Sequence, residues 1–119
     1  MRGARVLVIE DEPLIAMMLE DMLSDLGCIV VDTAPGFDAA MSKAAALDFD
    51  FCLLDMNLAG QISTPVAEIL HRRKLPFIVS TGLGQGSLPP GLAATAVLSK
   101  PFSVASLTEA IWQLALAPK

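Results

Sequence analysis

Five side chains in this sequence could together handle a phosphoryl group: Glu10, Asp11, Asp55, Thr81 and Lys100. A carboxylate can attack phosphorus and form an acyl phosphate. The charge on the transferred group must then be met by a metal, a cationic side chain and a hydroxyl or amide donor. Asp55 would be the nucleophile, with Thr81 and Lys100 serving the phosphoryl oxygens. Three carboxylates brought together repel one another, and one lysine does not offset three. A hard divalent cation does. Mg²⁺ favours one or two carboxylates together with waters and a phosphate oxygen. Glu10, Asp11 and Asp55 are therefore candidate ligands, and the backbone carbonyl of Asn57 is a further one. His71 lies beside Arg72 and Arg73 with no evident catalytic partner, and reads as a solvated surface residue.

Each of these residues has an ordinary reading. Glu10-Asp11-Glu12 ahead of a helix would suit the helix dipole. Asp55 and Thr81-Gly82 could be turn residues, and Lys100-Pro101 a loop leading into a helix. The weight lies in where they fall, which depends on the elements around them.

Apolar runs alternate with helical patterns along the chain. Val6 to Ile9 is a short apolar run that ends in the acidic cluster. From Pro13 to Leu26 the residues Ile15, Met18, Leu19, Met22 and Leu26 form a stripe of helical period. Pro13 suits the first turn and Gly27 the C-terminal cap. Cys28 to Thr33 reads as a second strand and Phe37 to Leu47 as an alanine-rich helix. Phe51 to Leu54 is a third strand ending on Asp55. A loop through Leu58-Ala59-Gly60 leads to a helix near Ser63 to Arg73, with Pro65 in its first turn. Phe77 to Ser80 is a fourth strand ending at Thr81. Residues Gly82 to Gly91 hold four glycines and two prolines, so a helix there should be short or frayed. Ala96 to Leu98 is a brief fifth strand, and Val104 to Leu116 a last helix. This alternation predicts a doubly wound α/β sandwich. Its ligand crevice lies outside the carboxyl ends of the strands. Glu10, Asp11, Asp55, Thr81 and Lys100 all fall there, on one rim.

The composition agrees with a parallel sheet covered on both faces. The 119 residues make one domain, residues 1–119, and 54% of them are apolar. Mean hydropathy is +0.60, yet no apolar run approaches the roughly 20 residues that cross a bilayer. No signal peptide is evident. A net charge of −5 without a basic tract disfavours nucleic acid as a direct partner. Cys28 and Cys52 lack metal-ligand spacing and read as buried free thiols in a reducing cytoplasm.

Glu10-Asp11, Leu53-Leu54-Asp55-Met56-Asn57, Ser80-Thr81-Gly82 and Lys100-Pro101-Phe102 together resemble the receiver domain of bacterial two-component response regulators, across essentially the whole chain. The resemblance implies a flavodoxin-like (CheY-like) three-layer sandwich with five parallel strands in the order 2-1-3-4-5. It implies Asp55 as phosphoacceptor, Mg²⁺ (or Mn²⁺) at Glu10 and Asp11, and Thr81 and Lys100 on the phosphoryl oxygens. It also implies a cis bond between Lys100 and Pro101. The phosphodonor would be a histidine kinase or histidine phosphotransfer protein, and an output protein would bind the face formed by residues 82–117. Such a domain is a cytoplasmic switch rather than an enzyme, although it assists its own phosphorylation and dephosphorylation. Asn57 and Leu83 would flank the route of the hydrolytic water. The segment Leu75 to Gly84 further resembles a subgroup of stand-alone alphaproteobacterial receivers.

Glu10, Val97 and the glycine- and proline-rich fourth helix depart from the family pattern, and Leu83 departs from the subgroup. The fourth helix implies a response by ordering of a loop rather than a shift of a rigid helix. Glu10 stands where Asp is common. Leu83 replaces the aromatic of the subgroup. Val97 occupies the place of the switch aromatic, leaving no ring there to couple to Thr81. A receiver fold that binds constitutively is one alternative, and Mg²⁺-dependent phosphorylation separates it from a switch. A phosphatase with an aspartate nucleophile would want an acid/base Asp where Asn57 stands. A flavin protein would want a phosphate-cradling loop in place of Glu10-Asp11-Glu12.

Overall fold

The computed structural model describes residues 3–81, 96–99 and 102–116. In chain order the elements are β1 (Arg5–Ile9), α1 (Pro13–Asp25), β2 (Ile29–Ala34), α2 (Phe37–Ala46), β3 (Phe51–Asp55), β4 (Asn57–Leu58), β5 (Gln61–Ile62), α3 (Thr64–Arg72), β6 (Phe77–Thr81), β7 (Ala96–Ser99) and α4 (Val104–Leu116). The large sheet is parallel, in the order β2-β1-β3-β6-β7. Counted over its own strands this is the expected order 2-1-3-4-5. The chain order reverses between β1 and β3, and in doubly wound sheets the ligand crevice opens at such a point.

Successive residues of a strand point to opposite faces, and here each face meets a separate core. Leu7, Ile9, Cys52, Leu54, Phe77 and Val79 pack with α2 and α3. Val6, Val8, Phe51, Leu53, Ile78 and Leu98 pack with α1 and α4. The central strands are apolar throughout because neither face meets water. Both cysteines are buried and neither is in a disulfide, and burial pushes the Cys52 thiol far up, out of the nucleophile range. Among the described residues no helix is long and apolar enough to cross a membrane.

Helix α1 closes as its sequence predicts. Gly27 takes a positive φ of 87°. Its N–H donates to the Ser24 carbonyl at 3.0 Å, and the Cys28 N–H to that of Leu23 at 2.9 Å. These are the two bonds of a Schellman cap. Because Cys28 is spent in the cap, β2 starts one residue later than expected. The apolar stripe also shifts: Leu23 is fully buried, whereas Met18 is 44% exposed. Helix α3 ends in the same motif, with Lys74 at φ 60° in the glycine position. The Lys74 N–H donates to His71 and the Leu75 N–H to Leu70, both at 3.0 Å. Arg73 then reaches across to α2, donating to the Ala44 and Leu47 carbonyls that end that helix. His71 is exposed.

The expected loop at Leu58-Ala59-Gly60 is instead a small hairpin of β4 and β5. Ala59 and Gly60 both have positive φ, 52° and 90°, as a two-residue type I′ turn requires. The glycine-rich stretch expected at 82–91 lies outside the described residues.

Candidate functional site

The ends of β1 and β3 bring the acidic residues together. Ile9 pairs with Leu54, so Glu10 emerges level with Asp55. Glu10 and Asp55 are 3% and 2% exposed, and Asp11 is half-buried at the rim. One carboxylate oxygen from each of the three lies within 4.8 Å of the others. This placement goes against the helix-dipole reading of Glu10 and Asp11, since a solvated first-turn carboxylate needs no such convergence. Were all three ionised, each pair at that separation would repel by about 3.5 kcal/mol at an effective dielectric of about 20. Ligands facing each other across an octahedral Mg²⁺ are about 4.2 Å apart. The spacing of the three carboxylates therefore fits a small, hard cation.

Backbone donors hold the carboxylates. The Glu12 N–H donates to Glu10 Oε2 at 3.2 Å and the Asn57 N–H to Asp55 Oδ1 at 3.1 Å. The tip of the hairpin reaches over to the pocket, where the Ala59 N–H donates to Asp11 Oδ2 at 3.0 Å. Burial pushes the Asp11 carboxyl up. Hydrogen bonding from Ala59, and with the Glu10 and Asp55 side chains, outweighs it and leaves Asp11 below the usual aspartate range.

The neighbouring strand supplies the polar groups. Asp55 pairs with Ser80, and Thr81 follows as the last residue of β6, half-buried at the same rim. The Ser80 hydroxyl is buried and has no hydrogen-bond partner among the described residues. Asn57 opens the hairpin, and its Oδ1 accepts from the Gly60 N–H at 2.8 Å. That bond turns the Asn57 side chain toward the turn and leaves its amide nitrogen as a donor. Lys100, the Lys100–Pro101 bond and Leu83 lie outside the described residues. Val97 lies on β7 and is 64% exposed.

Two contributors are not evident from residue type. The Ala59 amide is a backbone group, and nothing in its sequence marks it as a partner of Asp11. Ser63 stands where the third helix is expected to begin, but its hydroxyl bonds back to the Asp55 carbonyl at 2.7 Å.

This arrangement has close relatives. The profile of the response regulator receiver domain matches residues 6–112. Over 111 residues the chain is 34% identical to the transcriptional regulatory protein PdtaR of Mycobacterium tuberculosis, covering 90% of this chain. That match takes in 54% of PdtaR, so the chain spans about half the length of the curated relative. SdrG from Sphingomonas melonis Fr1, solved in solution, is 38% identical with a TM-score of 0.82. The match covers 95% of this chain and 97% of that one. The receiver domain of the sensor histidine kinase PA1611 from Pseudomonas aeruginosa PAO1 shares the fold, with a TM-score of 0.80 at 22% identity. There 97% of this chain and 99% of that one are covered, and that structure has a magnesium ion coordinated in its active site cleft.

Proposed function

Because this chain belongs to the response regulator receiver domains of two-component signalling, we propose that it takes a phosphoryl group from a histidine kinase or histidine phosphotransfer protein onto Asp55. The observation that carries this reading is the convergence of Glu10, Asp11 and Asp55 within 4.8 Å at the end of β1 and β3. An Asp55 carboxylate oxygen forms the new O–P bond as the N–P bond of the donor phosphohistidine breaks. The electron pair of that bond returns to the imidazole, which takes up a proton. Mg²⁺, with Mn²⁺ as a substitute, would be held by Glu10, Asp11, Asp55 and the Asn57 carbonyl, and would neutralise charge on the phosphoryl oxygens. The Asn57 N–H fixes the rotation of the Asp55 carboxylate, and the Ala59 N–H holds Asp11 in place. Thr81 and Lys100 would donate to the phosphoryl oxygens, Lys100 across a cis bond to Pro101.

The added charge and acceptor oxygens would then redirect Thr81 and Lys100 and reorder the face formed by residues 82–117. Within that face, β7 and α4 border an open groove of about 570 Å³ lined by Val97, Ser99, Phe102, Ser106 and Gln113. An output protein would read this face. Exposed Val97 replaces the usual ring, so the signal would pass through backbone order rather than a swinging aromatic. The same reading makes the protein a cytoplasmic switch that assists its own phosphorylation and dephosphorylation.

Acetyl phosphate and Mg²⁺ provide the test. Wild type should show a retarded band on a phosphate-affinity gel, lost on chelation and absent in Asp55→Asn. Equal mobility of the two proteins after treatment would refute the reading.

A further inference from the structure

Ser63 occupies the N-cap of α3, yet its hydroxyl makes no cap bond. A serine in that position ordinarily turns its oxygen toward the first free N–H groups of the helix. Here it turns the other way. Its Oγ donates to the Asp55 carbonyl at 2.7 Å and lies 3.1 Å from that of Met56. The Ser63 N–H also donates to the Met56 carbonyl, at 2.9 Å. The residue is 0% exposed, so water does not compete for these bonds.

A peptide unit is planar, so fixing a carbonyl also fixes the N–H across the same bond. Opposite the Asp55 carbonyl is the Met56 N–H, which donates to the Ser80 carbonyl at 2.9 Å. Opposite the Met56 carbonyl is the Asn57 N–H, which donates to Asp55 Oδ1 at 3.1 Å. One buried serine thus grips two consecutive peptide planes. The first locks the end of β3 to β6, and the second ends on the carboxylate itself.

We propose that Ser63 is a positioning residue for the phosphoacceptor, setting the rotation of the Asp55 carboxylate through the peptide between Met56 and Asn57. The proposal rests on the reading of Asp55 as acceptor. It explains why a helix-capping residue leaves its helix uncapped. A capping hydroxyl would strengthen α3, whereas this one stiffens the turn that follows the acceptor.

The test uses the whole chain with acetyl phosphate and saturating Mg²⁺, so that no kinase docking enters the rate. Ser63→Ala should slow phosphorylation of Asp55 about tenfold, the effect of one buried hydrogen bond carried into a rate. Hydrogen exchange of the Asn57 amide should quicken by a similar factor relative to that of Cys52. Ser63→Thr restores the hydroxyl and should return both quantities most of the way to wild type. A purely structural serine would lower the melting temperature but leave the rate per folded molecule and the Asn57 exchange unchanged. Either of those unchanged values in Ser63→Ala overturns the proposal. If Ser63→Ala does not fold, Ser63→Cys, which keeps a side chain of similar shape with a weaker donor, decides. Slower labelling of Asp55 together with quicker Asn57 exchange supports the proposal, and either value unchanged from wild type overturns it. If acetyl phosphate labels wild type and Asp55→Asn alike, the acceptor reading fails, while the exchange measurements still report on Ser63.

Discussion

A buried carboxylate costs free energy unless donors or a cation meet it, and Asp55 sits with Glu10 and Asp11 around one point. The same reasoning extends to how long a phosphoryl group would survive there. We propose that Leu83 and Asn57 flank the approach of the hydrolytic water. Asn57 has its Oδ1 engaged by Gly60, and a leucine offers water nothing to bond. Leu83→Glu would add an acceptor able to orient the attack, and should shorten the lifetime of the aspartyl phosphate by up to about tenfold. Decay after removal of the phosphodonor, followed on a phosphate-affinity gel, measures this. Equal lifetimes of the two proteins would refute it. At this scale the sequence was informative about the acids, since Glu10, Asp11 and Asp55 are marked by type and by strand ends. The amide of Ala59 and the back-turned hydroxyl of Ser63 were not legible. A backbone donor has no residue signature, and a serine before a helix looks the same whichever way its hydroxyl turns.

The helix ends give a matched pair of elements. Helices α1 and α3 close with the same two hydrogen bonds, but one places Gly27 and the other Lys74 at the positive φ. A side chain in that region costs about 1–2 kcal/mol, and glycine gives back about half of it through its freer unfolded chain. Lys74→Gly should therefore stabilise the protein by about 0.5–1 kcal/mol, and Gly27→Ala should destabilise it by about 1 kcal/mol. Urea unfolding midpoints check both, and a less stable Lys74→Gly protein would refute the first. Gly27 was readable as a cap because glycine advertises its conformation; Lys74 does not. The β4–β5 hairpin was hidden for a similar reason. A type I′ turn favours Asn-Gly, whereas here Ala59 fills the first position and gains its hold from a distant Asp11. Met18 belongs to the expected apolar stripe of α1 and Leu23 lies just beside it. Only the seating of the helix on the sheet settles that Leu23 faces inward and Met18 outward.

Across the whole molecule, the acidic pocket is a site of stored repulsion that a cation would relieve. With Mg²⁺ at about a hundred times its dissociation constant, unfolding free energy should rise by about 2.7 kcal/mol, and the melting temperature by roughly 10 °C. Asp55→Asn should melt higher than wild type without metal and gain less from Mg²⁺. Melting curves with Mg²⁺ and with chelator decide this, and a wild-type curve that ignores Mg²⁺ would count against the metal site. The doubly wound sheet itself was legible, because strand-length apolar runs alternating with helices leave few other architectures. The sharing of the central strands between two cores has a further consequence. Residues of β3 are gripped alternately from either side, so Asp55 stands at the end of a strand that neither core can shift without disturbing the other. Its chemistry is thereby insulated from the surface. On the proposed reading, segments beyond the strand ends could be rewritten to meet a new partner while Asp55 stays in register, so the phosphate chemistry would be rewired to new outputs without being rebuilt.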